Sequence, residues 1–219
     1  MIDQEFGAKT TKSLEWLKPV FPIWNRLIQR YISFCASDDG GPTDVPYFYN
    51  ERVNVGLLAS AASIAGLSAL EEFITRRAHR GRSGRGRSGR GRADLFLCNR
   101  RKGVTLEVKQ VWLRKRTRHK RLMKIVEKEL KWAPTSPGSA TYGSCLIGVA
   151  SLDEKPDGKD VRQFIKKFKT LSPDVVAWSF PKSCRAFSSK EDSRYRLWYP
   201  GVVLAIHLSR KRKGRPKRA

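Results

Sequence analysis

Residues 91–112 comprise GRADLFLCNRRKGVTLEVKQVW, and this stretch decides the fold of the chain. Two apolar runs flank the turn-forming segment from Asn99 to Gly103, a pattern typical of two short strands in tight connection. Asp94 stands at the head of the first run, and Glu107 and Lys109 lie inside the second. Strand pairing needs no charge at these positions, so the three charged residues require another explanation.

The segments around this stretch alternate between helical and strand patterns. Asn50 can cap a helix over about residues 51–65, because its side chain accepts a hydrogen bond from a free amide of the first turn. Residues 67–75 are predicted to follow as a strand, with continuation of the helix as the alternative. Downstream we predict a basic helix at 114–132, a strand at 144–152, a helix capped by Asp157, and strands at 175–180 and 201–208. This order predicts an α/β fold with a mixed sheet flanked by helices.

The chain is expected to form one main domain with additions at both ends. Residues 1–46 are predicted to be an N-terminal helical appendage and linker that precedes a domain over residues 47–209. Inside that domain, residues 77–92 contain GRSGR twice in tandem and are predicted to be a flexible arm, because glycine at this density is costly to order. Residues 210–219 form a basic tail.

Charge is the strongest signal in the composition. The chain has 45 Lys and Arg residues against 20 Asp and Glu residues, which gives a formal net charge of +25. Most of the excess lies in three blocks, at residues 76–92, 113–131 and 210–218. Clustered basic residues are typical of nucleic-acid binding, because each neutralised phosphate releases counterions. A solvated basic surface and an anionic membrane are the alternatives.

Cysteine spacing and hydropathy exclude several other classes. The four cysteines lie far apart without a Cys-x-x-Cys pair, so neither a zinc site nor a disulfide framework is predicted. The N-terminus lacks the basic-then-apolar order of a signal peptide, and residues 53–70 are too weakly apolar for a membrane span. We therefore expect no membrane association, and a cytoplasmic or nucleoid-associated protein, or a nuclear one if the host is eukaryotic.

Strand alternation can bring the three charged residues of the opening stretch together. Glu107 and Lys109 are two residues apart and therefore share one face of their strand. Asp94 opens the neighbouring strand, about 4.8 Å away, so its carboxylate can converge with that of Glu107. Two close carboxylates repel unless a cation lies between them, and Mg²⁺ (or Mn²⁺) is the simplest such cation. The alternative is an ordinary salt bridge between Glu107 and Lys109.

These residues resemble the signature of the PD-(D/E)xK nucleases, the restriction-endonuclease-like superfamily. In that pattern a helix with an acidic residue precedes one strand, a second strand carries the aspartate, often after Gly-Arg, and a third carries Glu-x-Lys. The corresponding parts here are Glu51, the segment of Glu71 and Glu72 (opposite in strand phase, so that at most one should face the site), GRAD with Asp94, and LEVKQ with Glu107 and Lys109. The resemblance covers roughly residues 47–112, and Ala93 replaces the proline of the signature.

The resemblance implies a restriction-endonuclease-like fold and a Mg²⁺-dependent deoxyribonuclease that cleaves phosphodiesters by water attack. It makes Asp94 and Glu107 metal ligands together with the backbone carbonyl of Val108, and Lys109 a catalytic group beside them. Glu51 becomes a candidate ligand of a second metal or of a metal-bound water, against the alternative of a carboxylate stabilised by its helix dipole. The alternative function is a non-catalytic nucleic-acid-binding protein, either a degenerate nuclease or a basic chromatin-like binder.

The basic segments supply the expected DNA contacts. Arginines just before Asp94 would bind phosphates beside the cleaved bond, which positions DNA without reading its sequence. In the tail, residues 213–217 resemble an AT-hook core, with a plain basic tail as the alternative. The expected nucleic-acid-binding residues are Arg82, Arg85, Arg87, Arg90, Arg92 and Arg215. Double-stranded DNA is the expected partner, while RNA cleavage, endo- or exonuclease action and a dimeric state are left open.

Overall fold

The computed structural model describes residues 5–37, 42–79, 87–130, 141–192 and 195–209. For residues 74–79, 87–91, 190–192 and 195, it describes the backbone alone. Among the residues that the structure describes, no helix combines the length and the apolar character needed to cross a membrane.

The described residues form nine strands and four α-helices. The strands are β1 (Phe6–Thr10), β2 (Ser68–His79), β3 (Arg87–Cys98), β4 (Gly103–Leu113), β5 (Thr141–Ala150), β6 (Val175–Ser179), β7 (Ser188–Asp192), β8 (Tyr195–Trp198) and β9 (Val202–Leu208). The helices are α1 (Val20–Phe34), α2 (Glu51–Ile64), α3 (His119–Leu130) and α4 (Gly158–Lys169).

Seven strands form one mixed sheet in the order β1-β6-β9-β5-β4-β3-β2, and β7 and β8 form a separate hairpin. Strands β4 and β5 are parallel, and every other neighbouring pair in the large sheet is antiparallel. The chain between β4 and β5 contains α3, as expected because parallel neighbours need a long crossover connection. The predicted α/β class, with a mixed sheet flanked by helices, is confirmed.

Helices cover both faces of the sheet, and each face has its own apolar core. On one face α1 and α2 pack against the sheet, with Trp24, Leu58 and Leu106 in a single buried cluster. On the other face α3 and α4 do the same, with Val126 and Phe164 in a second cluster. A sheet covered on both sides needs nearly continuous apolar strands. Strand β5 fits this rule, because all of its residues after the first are buried.

Local sequence signals placed the central helices and strands correctly. The Asn50 side chain accepts a hydrogen bond of 3.2 Å from the Val53 amide and caps α2. The Asp157 side chain accepts bonds of 2.7 and 2.9 Å from the Lys159 and Asp160 amides, and it caps α4 in a capping box. Helix α3 begins later than predicted, because residues 114–118 form a turn that precedes it.

The predicted N-terminal appendage is wrong. Strand β1 pairs with β6 at the edge of the main sheet, and the Gly7 backbone lies so close to the Trp178 ring that a Cβ there would be 2.1 Å from it. Helix α1 contributes Trp24 and Ile28 to the same core as α2. The described residues before position 47 therefore share one core with the described residues after it. Strand β1 is short and its partner is remote in sequence, so no local sequence pattern predicted the pairing.

Residues 77–79 and 87–92 of the predicted flexible arm lie in paired strands, while residues 80–86 lie outside the described residues. Strands β2 and β3 pair along this segment, with Arg77 opposite Gly89 and His79 opposite Arg87. Cross-strand hydrogen bonds offset part of the entropic cost of ordering glycine, and periodicity alone did not reveal them. Arg87 and Arg90 thus lie in β3, whereas Arg82 and Arg85, and Arg215 in the tail, lie outside the described residues.

Candidate active site

Strand β4 is paired differently along its two edges. Strand β3 pairs with β4 only from Gly103 to Leu106, whereas β5 accompanies β4 from Val104 to Leu113. On the N-terminal side of Leu95, β3 pairs with β2 and no longer pairs with β4. The sheet therefore forks, and among the described strands none pairs with this side of β4 after Leu106. We call this side of residues 107–113 the open edge.

Asp94 lies at the point where the two strands separate. Its Oδ2 accepts a hydrogen bond of 2.7 Å from the Val108 amide, the first amide of the open edge. Because Leu95 lies opposite Leu106 in antiparallel register, Asp94 comes opposite Glu107. Opposite residues of an antiparallel pair start from the same face of the sheet. The structure thus brings Asp94 and Glu107 to neighbouring positions.

Glu51 takes the next amide of the open edge. Its Oε2 accepts a hydrogen bond of 2.7 Å from the Gln110 amide and lies 3.2 Å from the Lys109 ammonium. Glu51 occupies the first turn of α2, where the helix dipole favours a negative charge. Two carboxylates from different elements therefore accept hydrogen bonds from alternate amides of one strand, those of Val108 and Gln110, and Lys109 lies between these two residues in sequence.

Glu107 is a buried acid, with only 6% of its surface exposed. In register it lies beside Ser144 on β5, which in turn lies opposite His207 on β9, and both of these residues are buried. A row of buried polar residues therefore crosses three neighbouring strands. Burial lowers the pKa of His207, although the charge of Asp174 acts in the opposite direction.

The donor groups at the fork fit a hard cation. Asp94 and Glu107 supply two carboxylates, and the Val108 carbonyl points to the same side of β4 as the Val108 amide that Asp94 binds, because both groups of a strand residue face one edge. Mg²⁺ binds through one or two carboxylates and keeps positions for waters and phosphate oxygens. Within the described ranges, no three His, Cys, Asp or Glu side chains form a group that could hold a metal. Glu51 instead binds Lys109 and the Gln110 amide.

A cleft of about 310 Å³ opens beside the fork. Its lining residues are Asn50, Glu51, Arg52, Val55, Glu71, Glu72 and Asp94. Strand phase had allowed at most one of Glu71 and Glu72 to face the site, and this prediction is wrong. Glu72 has a positive φ of 46°, which interrupts the pairing of β2 with β3 and breaks the alternation of side chains.

Two arginines bind the Glu72 carboxylate at the rim of this cleft. Arg52 lies 2.5 Å and Arg92 3.3 Å from its oxygens. Arg92, which is one of the residues predicted to bind phosphate, forms an ion pair with Glu72 in this structure. Exposed pairs of this kind are worth about 0–1 kcal/mol.

Gln110 holds the fork to the start of α2. Its side chain accepts a hydrogen bond of 2.8 Å from the Asn54 amide group and donates one of 2.8 Å to the Tyr49 carbonyl. Gln110 is thus a structural hydrogen-bonding residue. Sequence reasoning did not identify Asn54 and Tyr49, although a buried Asn one turn after a helix cap is a usable signal.

The carboxylates at the fork create a negative field that extends into the next strand. Cys145 lies opposite Val108 on β5 and is fully buried. Burial, followed by the charges of Glu51 and Asp94, raises the pKa of its thiol to about 12. An anionic region of this kind favours the binding of a cation.

Helix α3 presents a basic surface close to the end of β4. Leu122 and Val126 face the core, while the outer side contributes to an open groove of about 550 Å³. The groove is lined by Arg118, Lys120, Arg121, Lys124, Ile125 and Lys128. The turn before the helix is fixed, because Lys167 of α4 donates to the Arg114 carbonyl at 3.1 Å. We call this face the α3 basic surface.

No family model matches this chain, and neither a curated protein nor a solved structure shows significant similarity to it. The functional interpretation therefore rests on the geometry and the chemistry of the fork.

Proposed function

We propose that this protein is a metal-dependent nuclease that hydrolyses phosphodiester bonds, most simply in DNA. The observation that carries the proposal is the convergence of Asp94, Glu51 and Lys109 at the open edge of β4, with Glu107 opposite Asp94 in register. Support also comes from the element order α2-β2-β3-β4, which is the order that the resemblance to PD-(D/E)xK nucleases implies. A restriction-endonuclease-like core is part of this proposal.

Each residue has a defined role in the proposed reaction. Asp94, Glu107 and the Val108 carbonyl would hold Mg²⁺ or Mn²⁺, which supplies Lewis-acid activation of water and phosphate. Lys109 places a positive charge beside the attacked phosphate and orients the attacking water. Glu51 holds the Lys109 ammonium through the 3.2 Å ion pair, and so fixes its position relative to Asp94. The buried position of Glu107 limits its movement.

The proposed partner is nucleic acid because the chain carries a net charge of +25. The α3 basic surface combines several exposed Lys and Arg residues on a helix whose apolar side is anchored in the core. Contacts from such a surface bind phosphates and position the strand without reading its sequence. Affinity would therefore come mainly from residues away from the fork.

A second candidate function is nucleic-acid binding without catalysis. The observation in its favour is that Glu51 pairs with Lys109 and Asp94 binds the Val108 amide, so three charged groups of the site have partners without any metal. Such bonds could serve only to close the open edge of β4. The two candidates disagree about catalysis and agree about binding.

The test compares cleavage and binding in the same variants. Purified wild type, Glu107→Gln and Lys109→Ala are incubated with plasmid, linear DNA and RNA in the presence of Mg²⁺, Mn²⁺ or EDTA. We expect each substitution to lower the rate by about 10²-fold or more, because each removes a charge that acts in the transition state. DNA affinity should stay within about twofold, because the basic surfaces supply it.

Lys155→Ala is the matched control, because it removes an exposed lysine remote in sequence from the fork residues. It should leave both the rate and the affinity unchanged. Binding without metal-dependent cleavage by the wild type would favour the non-catalytic function. Cleavage that survives both Glu107→Gln and Lys109→Ala would show that the fork is not the active site.

A further inference from the structure

The open edge of β4 continues beyond the proposed active site into an exposed aromatic surface. Trp112 is 44% exposed and Tyr49 is 45% exposed, which is unusual for such large rings. Both rings contact Phe48, whose centroid lies 5.9 Å from that of Trp112 and 6.1 Å from that of Tyr49. We call Trp112 and Tyr49 the aromatic ledge.

Ring contacts and hydrogen bonds hold the two residues of the aromatic ledge in place. Tyr199 is fully buried, and its ring lies 4.8 Å from Phe48 and 5.5 Å from Trp112. The Tyr49 hydroxyl donates a hydrogen bond of 2.5 Å to Asp44, and its carbonyl accepts the bond from Gln110. Rings that are already fixed lose little conformational entropy when a flat ligand stacks on them.

The ledge lies between the proposed catalytic residues and a basic segment. Trp112 comes three residues after Lys109 on β4, a separation of about 10 Å in an extended strand. Arg114 and Arg116 lie two and four residues after Trp112, and both are exposed. On the other side of the fork, Tyr49 precedes Glu51 by two residues. Because side chains alternate along a strand, Trp112 projects from the face opposite Glu107 and Lys109, so a nucleic-acid chain that crosses the open edge contacts the catalytic groups on one side and the rings on the other.

We infer that the aromatic ledge stacks a nucleobase, and that the substrate carries an unpaired nucleotide next to the cleaved phosphate. Bases inside a duplex stack on each other and expose only their edges, so an aromatic side chain can reach a base face only where pairing is absent or broken. The neighbouring arginines favour a polyanion over a neutral or basic peptide as the occupant. This inference rests on the proposed nuclease function for the position of the cleaved bond, but the stacking itself requires no cleavage.

The test measures binding in EDTA, so that no probe is cleaved. The probes are a short oligothymidylate, the same oligonucleotide with abasic sites, and a blunt duplex of equal length. Trp112→Ala should weaken binding of the oligothymidylate by about 5- to 100-fold, the range expected for the loss of one base stack. Binding of the abasic probe, which keeps the phosphates and lacks base faces, should not change.

Two further variants separate stacking from a structural defect. Trp112→Phe keeps an aromatic face and should retain most of the affinity for the oligothymidylate. Phe34→Ala removes a ring that is 75% exposed on α1 and should have no effect on any probe. An equal loss on all three probes, or no loss with Trp112→Ala, would overturn the inference and leave the ledge as a surface for another protein.

Failure of this inference can be told apart from failure of the proposed function. Suppose that the wild type shows no cleavage, while Trp112→Ala lowers the binding affinity only for probes that contain bases. That result would support the stacking site and contradict the nuclease function. If metal-dependent cleavage occurs and Trp112→Ala leaves binding of the oligothymidylate unchanged, the nuclease stands and the stacking site does not.

Discussion

The two halves of strand β4 differ in the partners of their backbone hydrogen bonds. Residues Gly103–Leu106 have a neighbouring strand on each side, except that Gly103 pairs with β3 alone. Val104 and Leu106 in this half are completely buried. Residues 107–113 pair with β5 only, and they carry every residue of the strand to which we assign a chemical role. One continuous strand thus has a structural half and a functional half.

The difference shows how an incomplete sheet positions charged groups. An unpaired strand edge leaves amides that still need hydrogen-bond acceptors. At the open edge, carboxylates from Asp94 and Glu51 accept the bonds that a third strand would have accepted. The fork therefore gathers negative charge at one place for reasons of backbone chemistry, and a metal-dependent reaction can use that charge.

The largest predicted difference between the two halves concerns stability. Leu106→Ala should lower the free energy of unfolding by about 2–5 kcal/mol, because it leaves a cavity in a fully buried position. Lys109→Ala should change it by about 1 kcal/mol or less, because the side chain is half exposed and loses one ion pair. Urea unfolding of both variants measures the contrast. A cost for Lys109→Ala equal to that of Leu106→Ala would contradict the division of the strand.

Much of this arrangement could be predicted from local sequence. The caps at Asn50 and Asp157 fixed two helix starts, and the alternation in LEVKQ placed Glu107 and Lys109 on one face. Asp94 was identified because an acid stood at the head of an apolar run. Each of these signals lies within a few neighbouring residues, so it can be recognised in the sequence.

The remaining features depend on contacts between distant segments. The pairing of β1 with β6 joins residues 6–10 to residues 175–179, and no pattern within a strand of five residues predicts a partner so remote in sequence. Glu72 faces the cleft because of a positive φ, which residue type does not predict for a glutamate. Trp112 is a large aromatic residue in an apolar run, and its exposure depends on how distant segments, such as those of Phe48 and Tyr199, pack around it.

The second prediction concerns the bond from the Val108 amide to Asp94. Asp94→Ala removes the acceptor and should cost about 1–3 kcal/mol of unfolding free energy, because a partly buried amide is left unpaired. Asp94→Asn keeps an oxygen acceptor and should cost less. Hydrogen exchange by NMR should show faster exchange of the Val108 amide in Asp94→Ala alone. Unchanged exchange in that variant would mean that the amide has another partner.

The third prediction tests the polar row that begins at Glu107 and ends at His207. Burial lowers the pKa of His207 below its ordinary value of 6.5, so the unfolded chain takes up a proton before the folded protein does. The contribution of neutral His207 to the free energy of unfolding should therefore be fully present above pH 6.5. It should decrease as the pH drops through and below that value. Comparing urea unfolding of the wild type and His207→Gln from about pH 8 to about pH 5 isolates this contribution. An identical pH dependence in both proteins would contradict it.

The smallest predicted effect belongs to Glu51→Gln, which separates the two bonds of one carboxylate. Glutamine keeps an oxygen for the Gln110 amide and loses the charge that attracts Lys109. The ion pair is partly exposed and screened by solvent, so its loss should cost about 0–1 kcal/mol, and the cost should shrink at high salt concentration.

Glu51→Ala, the matched variant, also removes the acceptor for the Gln110 amide. The further loss of unfolding free energy in Glu51→Ala, relative to Glu51→Gln, measures the hydrogen bond to the Gln110 amide. It should resemble the difference in unfolding free energy between Asp94→Ala and Asp94→Asn, because both carboxylates bind amides of the same open edge. Urea unfolding of the four variants at low and high salt concentration provides the comparison. A large, salt-independent cost for Glu51→Gln would show that the negative charge itself holds the fork together, and the comparison between the two halves of β4 would then rest on charge rather than on hydrogen bonding.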